Sequence, residues 1–274
     1  MEPQRGNELG SKRPRRTTRS QCRCPRQVIG GFSAADIKVS IELHPTLNGV
    51  RACIFDAGGT LVHPDWPRLS SIAAELSGRV FEPAVLSRAF GKMLRTVGME
   101  MQQEGFVVPD EMNRPHWTFR RMYRDLGLDE ADCASVVARL NTSHLDRHVW
   151  CRADPDALYV LDELKRHGLI IGVISNTEDG RLLDSLNLAG MSDRFDLTID
   201  SHVVGLRKPD AAIFQLMLDR LGLAAGDAAY VGDSYAHDAL AARASGLRAI
   251  LLDPLDLHPD SICPHIRSLG ELIL

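Results

Sequence analysis

The chain has 274 residues, 44% hydrophobic and 25% charged, with a formal net charge of −4. That length suits one α/β domain with an insert, or two small domains, and buries a sizeable core. The mildly acidic balance argues against a nucleic-acid-binding body. No uninterrupted run of about 18 apolar residues is present, so no membrane-spanning helix is expected.

Residues 1–48 read as a tail. "SKRPRRTTRSQCRCPRQ" is basic, rich in turn formers and without periodicity, the composition of a disordered, solvated extension. Lys12 and seven arginines face only Glu2 and Glu8 over residues 1–26, so the acidic excess belongs to the remainder. No apolar h-region follows the first residues, and no secretory signal is expected. Cys22, Cys24, Cys53, Cys133, Cys151 and Cys263 form no C-x-x-C pair. They read as reduced thiols of a cytoplasmic protein.

The pattern changes at residue 51. "RACIFD" is a short buried strand, and residues 49–64 form the first piece of a core domain. Residues 65–150 then carry helical spacing, in "RLSSIAAEL", "EPAVLSRAFGKMLRTV", "HWTFRRMYRDLGL" and "DCASVVARLNTSHL". Trp117 and Tyr123 are expected in the core of this helical block, and Arg114, Arg120, Arg121 and Arg124 mostly on its solvated faces. Residues 151–274 return to the core domain. "DALYVLDELKRHG" leads to the strand "LIIGVISN", and "RLLDSLNLAG" to "FDLTIDS". "AAIFQLMLDRLG" leads to "AAYVGDS", and "AHDALAARASG" to "LRAILLD". Continuous apolar strands between helices predict an α/β fold, a doubly wound parallel sheet interrupted after its first strand by an α-helical insert.

In such a sheet, ligands bind beyond the carboxyl ends of the strands. Polar residues gather at those ends: Asp56 after strand one, Ser175 and Asn176 after "GVI", and Asp233 after "AAYVG". Asp238 lies in the helix that follows Asp233, and Lys208 sits in the loop "GLRKPD". Singly, each has an ordinary explanation. An aspartate caps a helix, a serine forms a turn, a loop lysine is solvated, and an acid favours a positive helix end. Together they would bring a carboxylate, a hydroxyl, an ammonium and an acidic pair to one edge.

The chain from about residue 51 onward resembles the haloacid dehalogenase-like hydrolase superfamily. "FDAGGTL", "GVISN", "GLRKPD" and "VGDSYAHD" match its four motifs in order over some 220 residues. The insert is similar to the helical cap of the first subclass. The resemblance implies a Rossmann-like core and Asp56 as nucleophile, forming an aspartyl intermediate. It implies Ser175 and Asn176 on the substrate side and Lys208 neutralising charge around Asp56 and the phosphate. It further implies Mg²⁺ held by Asp56, Asp233 and the Gly58 carbonyl, with Asp238 holding the metal or orienting its ligands. Thr60 would tie down the loop, and N–H groups along Ala57–Thr60 would face phosphate oxygens. The expected partner is a small phosphorylated metabolite.

One residue departs from the pattern. The phosphatase form of motif one has a second aspartate two residues after the nucleophile, which protonates the leaving oxygen and later activates water. Gly58 stands there. General acid–base catalysis is worth about 10²–10⁴-fold. His63, Asp65, Glu178 and His237 lie near the motifs as substitutes. A carbon–halogen hydrolase is the alternative, since a halide leaves without a proton, but Asp233 and Asp238 favour metal-dependent phosphoryl chemistry. The phosphonate-cleaving branch needs a cap lysine, and Lys92 is the only lysine of the insert. The third reading is a binding or regulatory scaffold with weak turnover.

Overall fold

The computed structural model describes residues 41–109, 112 and 114–274. Most of the expected tail, with Cys22 and Cys24, lies outside the described residues. Residues 41–48, grouped with that tail on composition, pack onto the core instead. Leu43 bridges Ile273, the His44 N–H donates to the Leu272 carbonyl at 2.9 Å, and Leu47 is buried. Two leucines spaced around Pro45 suffice to anchor the segment, a signal that the neighbouring arginines hide.

The strands of the core are β1 (Ala52–Phe55), β4 (Ile170–Ser175), β5 (Leu197–Asp200), β6 (Ala228–Gly232), β7 (Arg248–Leu252) and β8 (His265–Ile266). They form one parallel sheet in the order β5-β4-β1-β6-β7-β8. The two-residue β8 is too short to announce itself in the sequence. Period-two alternation divides the sheet residues between two cores. Cys53, Phe55, Ile171, Val173 and Val231 pack with α5 (Ala157–Arg166) and α6 (Leu182–Leu188). Ala52, Ile54, Ile199 and Tyr230 pack with α8 (Ala211–Leu221) and α9 (Ala241–Ala244) on the other face. A sheet covered on both faces explains why its strands read as unbroken apolar runs.

The helical block comprises α1 (Trp66–Ser77), α2 (Pro83–Met101), α3 (Trp117–Asp125) and α4 (Glu130–Asp146). Pro67 and Pro83 stand in the first turns of α1 and α2, where a missing N–H costs nothing. Asp129 caps α4 by accepting the Asp132 N–H at 2.8 Å. Leu69, Leu86, Phe90, Phe119, Met122 and Leu140 form a third core within the block. Tyr123 is fully buried there, and its hydroxyl donates to the Leu69 carbonyl at 2.8 Å. Among the described residues, no helix is long and apolar enough to cross a membrane.

The block is joined to the core by a short antiparallel pair, β2 (Val62–Pro64) with β3 (Trp150–Ala153). Strands of three and four residues carrying His63, Pro64 and Arg152 give no periodic signal, and the helical reading of residues 65–150 passes over Trp150. Arg152 Nη2 donates to Asp65 Oδ1 at 3.0 Å, and His63 Nε2 lies 3.0 Å from Asp154 Oδ2. Trp150 reaches from this stem into the block, its ring centroid 5.7 Å from that of Phe90 and 5.9 Å from that of Phe119. Removing the Tyr123 hydroxyl deletes one buried hydrogen bond, while the Leu69 carbonyl, inside α1, keeps its helical N–H partner. Tyr123→Phe should therefore lower unfolding free energy by about 1–2 kcal/mol in urea titrations, with an unchanged m-value.

Candidate active site

Strands β4, β1 and β6 are neighbours, with Phe55 registered opposite both Val173 and Val231. Their carboxyl ends therefore deliver Ser175, Asp56 and Asp233 to one edge, where the strand order switches direction. The Asp56 N–H donates to the Val231 carbonyl at 2.8 Å, fixing the start of the loop. Asp56 and Ser175 are buried and Asp233 is half-buried.

Lys208 is the centre of the arrangement. Its ammonium donates to Asp56 Oδ1 at 2.6 Å, to Asp238 Oδ1 at 2.7 Å and to the Tyr230 hydroxyl at 3.0 Å. Three donors thus meet three acceptors, although the side chain is 3% exposed. Burial alone would drive this ammonium down, but the Asp238 and Asp56 carboxylates outweigh it and hold the pKa well above the ordinary value. Tyr230 hands its own proton toward Asp238 Oδ1 at 3.1 Å. Tyr230 sits on an apolar strand, a position that in the sequence signals core alone.

Asn176 holds the Lys208 backbone. Its Nδ2 donates to the Lys208 carbonyl and its Oδ1 accepts the Lys208 N–H, both at 2.9 Å. The side chain expected on the substrate is thus engaged in a reciprocal clamp. Asp238 lies on a π-helical turn, Tyr235–Leu240, in which the Ala239 N–H reaches back to the Ser234 carbonyl at 3.2 Å. Its Oδ2 accepts the Ser234 N–H at 3.0 Å.

Two glycines make these approaches possible. A Cβ on Gly232 would stand 2.5 Å from the Cβ of Asp238, and one on Gly59 would stand 2.1 Å from Asp233 Oδ2. Gly59 also has φ +96°, which side chains disfavour. Two of the loop's N–H groups differ from expectation. That of Gly59 goes to the Val62 carbonyl and that of Thr60 to the Ala57 carbonyl, so neither is offered to a phosphate.

Ligand atoms of Asp56, Asp233 and Asp238 lie within 4.8 Å of one another. Three carboxylates share one ammonium here, more negative charge than it balances when all three are ionised. Burial pushes the Asp56 carboxyl up to about 6 against the pull of Lys208. Burial, and then the Asp56 carboxylate, push Asp233 well above its ordinary value. Asp56 Oδ2 and the Thr60 hydroxyl are buried without a hydrogen-bond partner among the described residues, so Thr60 does not tie the loop through its side chain. An excess of oxygen donors, uncompensated negative charge and an unpartnered carboxylate oxygen fit a hard divalent cation such as Mg²⁺.

Gly58 faces an indole. A Cβ there would lie 3.4 Å from Trp150 Cζ3, so the ring flanks the place where the usual acid begins. The four substitutes suggested by sequence have other contacts. Asp65 pairs with Arg152 and His63 with Asp154. Glu178 accepts the His116 N–H at 2.9 Å, and His237 Nδ1 lies 3.1 Å from Ser234 Oγ. Lys92 lines a cavity of about 310 Å³ with other residues of the helical block, Arg88 and Asp125 among them. That cavity includes none of the strand-end residues.

A second cavity, about 350 Å³, opens beside the loop that follows Asn176. Arg114, Trp117, Thr177, Glu178, His202 and Arg207 line it. Trp117 and Arg114 thus face a cleft rather than serving only as core and solvated surface. Arg120 pairs with Glu130, and Arg121 with Glu100 and Asp125.

The family model described as haloacid dehalogenase-like hydrolase matches residues 50–246. A protein of Mycobacterium tuberculosis named as a phosphatase is 26% identical over 82% of this chain and 97% of its own. Haloacid dehalogenase-like hydrolase domain-containing protein 3 of Mus musculus is 39% identical over 64% of this chain and 76% of its own. Among solved structures, a magnesium-bound HAD-hydrolase of Bacillus subtilis superposes with a TM-score of 0.60 at 18% identity, covering 81% of this chain and 96% of that one. The L-2-haloacid dehalogenase of Xanthobacter autotrophicus gives 0.53 at 19% identity, with the same coverage. The order of the sheet, the residues at its edge and the span of the match lead to one conclusion: the chain belongs to the haloacid dehalogenase-like hydrolase family.

Proposed function

We propose that the protein is a phosphatase that acts on small phosphate esters or anhydrides through a phosphoryl group carried by Asp56. The observation that carries this reading is the charge imbalance at the sheet edge. Three carboxylates sharing one ammonium, beside an unpartnered Asp56 Oδ2, suit a cation that would keep them ionised, and a site that holds a cation among carboxylates suits an anionic phosphoryl group. Several curated relatives are named as phosphatases, for phosphoglycolate and phosphoserine among them.

Asp56 and Asp233, with the Gly58 carbonyl, would hold Mg²⁺, which supplies charge neutralisation to the phosphate and to the nucleophile. Lys208 fixes Asp56 through Oδ1, leaving Oδ2 to attack phosphorus. The bond from phosphorus to the leaving oxygen breaks, and that oxygen departs with the bonding pair. Water then attacks phosphorus, the bond from phosphorus to Asp56 breaks to restore the carboxylate, and the proton the water gives up balances the one the departed oxygen takes from solvent. Ser175, buried at the end of β4, would bond a phosphoryl oxygen. Asn176 and Asp238 are positioning residues, the first through the Lys208 backbone and the second through its ammonium. Arg114 and Arg207 give the adjoining cleft positive charge for the rest of an anionic metabolite. Cys53, Cys133, Cys151 and Cys263 are buried and unpaired, in keeping with a reducing compartment such as the cytoplasm.

The carbon–halogen reading keeps one supporting feature, the absence of an acid at Gly58. A metal-free release of chloride or bromide from 2-haloacids would favour it. The phosphatase reading expects phosphate release that requires Mg²⁺ and falls by orders of magnitude in Asp56→Asn. Activity that ignores the metal, or survives that substitution, would sink it.

With an indole beside Gly58 and no acid, leaving-group basicity should govern the rate. Aryl and acyl phosphates are expected to turn over about 10²–10⁴-fold faster than alkyl phosphates of similar size. Equal rates would reveal another proton donor. Gly232→Ala should reduce kcat on the order of 100-fold by displacing Asp238, while Gly226→Ala, whose added methyl meets nothing within 4 Å, should leave it unchanged. Steady-state kinetics on a single aryl phosphate reads both.

A further inference from the structure

Three histidines line the seam where the helical block meets the core loop of residues 176–181. His116 directly precedes α3, His144 is on the last turn of α4, and His148 lies just before β3. All three are buried. Their rings stand in a row, with centroids 5.0 Å apart from His116 to His144 and 4.3 Å apart from His144 to His148. The loop meets them with two carboxylates. Glu178 Oε2 accepts the His116 N–H at 2.9 Å, and Asp179 Oδ2 lies 2.8 Å from His144 Nε2. Arg181 Nη1 closes the seam by donating to the His144 carbonyl at 3.0 Å.

Backbone donors hold two of the rings neutral. The Val149 N–H is donated to His144 Nδ1 at 3.1 Å, and the Trp150 N–H to His148 Nδ1 at 3.2 Å. A nitrogen that accepts a hydrogen bond carries no proton, so each ring keeps its one proton on Nε2, and His144 gives its own to Asp179. Protonating either Nδ1 would break its backbone contact. Charge gives the same answer. Glu178, Asp179, Arg68 and Arg181 face the rings, and the two carboxylates already balance the two guanidiniums. Any ring that becomes cationic adds charge that this buried set does not balance. We propose that His116, His144 and His148 form a pH-sensitive latch, which holds the helical block to the loop of residues 176–181 while its rings are neutral and releases it as they take up protons.

Burial, reinforced by His144, pushes both His116 and His148 down to about 4. Asp179, and for His148 the Trp150 carbonyl 3.0 Å from Nδ1, pull the other way without prevailing. Burial raises the Asp179 carboxyl, but its hydrogen bond with His144 outweighs this and holds it at about 2, so it stays ionised above pH 4. A released histidine returns to about 6.5. The closed seam is therefore fully favoured above about pH 6.5 and weakens as pH falls toward 4. At about pH 5 each of these two rings multiplies the open-to-closed ratio roughly 30-fold over its value at about pH 7.5, on the order of 10³-fold together. The latch bears on the sheet edge, because the loop it grips begins with Asn176, the residue that clamps Lys208.

Nuclear magnetic resonance on the full chain tests the latch between about pH 7.5 and pH 5. Nitrogen-15 shifts of the rings are expected to show Nε2–H tautomers for His144 and His148 at the upper end. Amide exchange, corrected for its intrinsic pH dependence, then reads the seam. Protection of the His116, Val149 and Trp150 amides should fall on the order of 10²–10³-fold at the lower end, while amides of β1 and β4 keep theirs. His116→Asn and His148→Asn remove a titrating ring. Asparagine offers an acceptor in place of Nδ1 and tolerates the left-handed φ of +57° at position 116. Each should shrink the fall by about 30-fold, and the paired substitution should remove most of it. Melting at neutral pH checks that the variants fold, and the wild-type profile decides by itself where they do not. Protection at the three amides that stays level throughout would overturn the latch. So would Nδ1–H tautomers, a loss shared equally by β1 and β4, or a fall that the paired variant retains in full.

Discussion

The structure turns on one ammonium. Lys208 is buried between the Asp56 and Asp238 carboxylates with every N–H donor taken. Removing one partner from such a buried set leaves an uncompensated charge, which costs about 3–5 kcal/mol. Other features at the sheet edge serve this contact. Asn176 clamps the Lys208 backbone, Tyr230 fills the third donor, and the π turn with Gly232 lets Asp238 come close. The parallel order of β4, β1 and β6 brings the pieces from distant parts of the chain to one place.

That contact also sets what the site lacks. One lysine cannot balance three carboxylates, and it binds only one oxygen of Asp56. The other oxygen is buried and unpartnered. Burial drives both Asp56 and Asp233 toward the protonated form, and a divalent cation reverses that tendency by favouring the ionised one. Under the proposed function, the oxygen left unpartnered is also the one that attacks phosphorus. Gly58 completes the picture from the other side: its bare backbone meets the Trp150 indole, so the loop offers no side-chain proton donor at that position.

Much of this was legible before any coordinates. Asp56, Ser175 and Asp233 end apolar strands, and a strand end is a local feature that short patterns reveal. The doubly wound sheet follows from alternating helices and unbroken apolar runs. Contacts made across the fold were hidden. Tyr230 reads as core because its ring is core, while its hydroxyl works at the site. Asn176 reads as a ligand residue because only the fold shows that it faces Lys208. The stem strands are too short for periodicity, so Trp150 passed for the end of a helical block although it faces Gly58. Likewise His116, His144, His148 and Asp179 are scattered over 64 residues of chain and share no motif. Only the packing of α4 against the loop after β4 brings them together.

The account's central claim is that Asp56 carries the phosphoryl group. Rapid acid quench of a single turnover on an aryl phosphate with Mg²⁺, followed by peptide mass spectrometry, tests it most directly. The account predicts a transient phosphoryl adduct on the peptide holding Asp56, absent in Asp56→Asn and absent without metal. Product formed in that turnover with no adduct at any time, or an adduct on another residue, would contradict it.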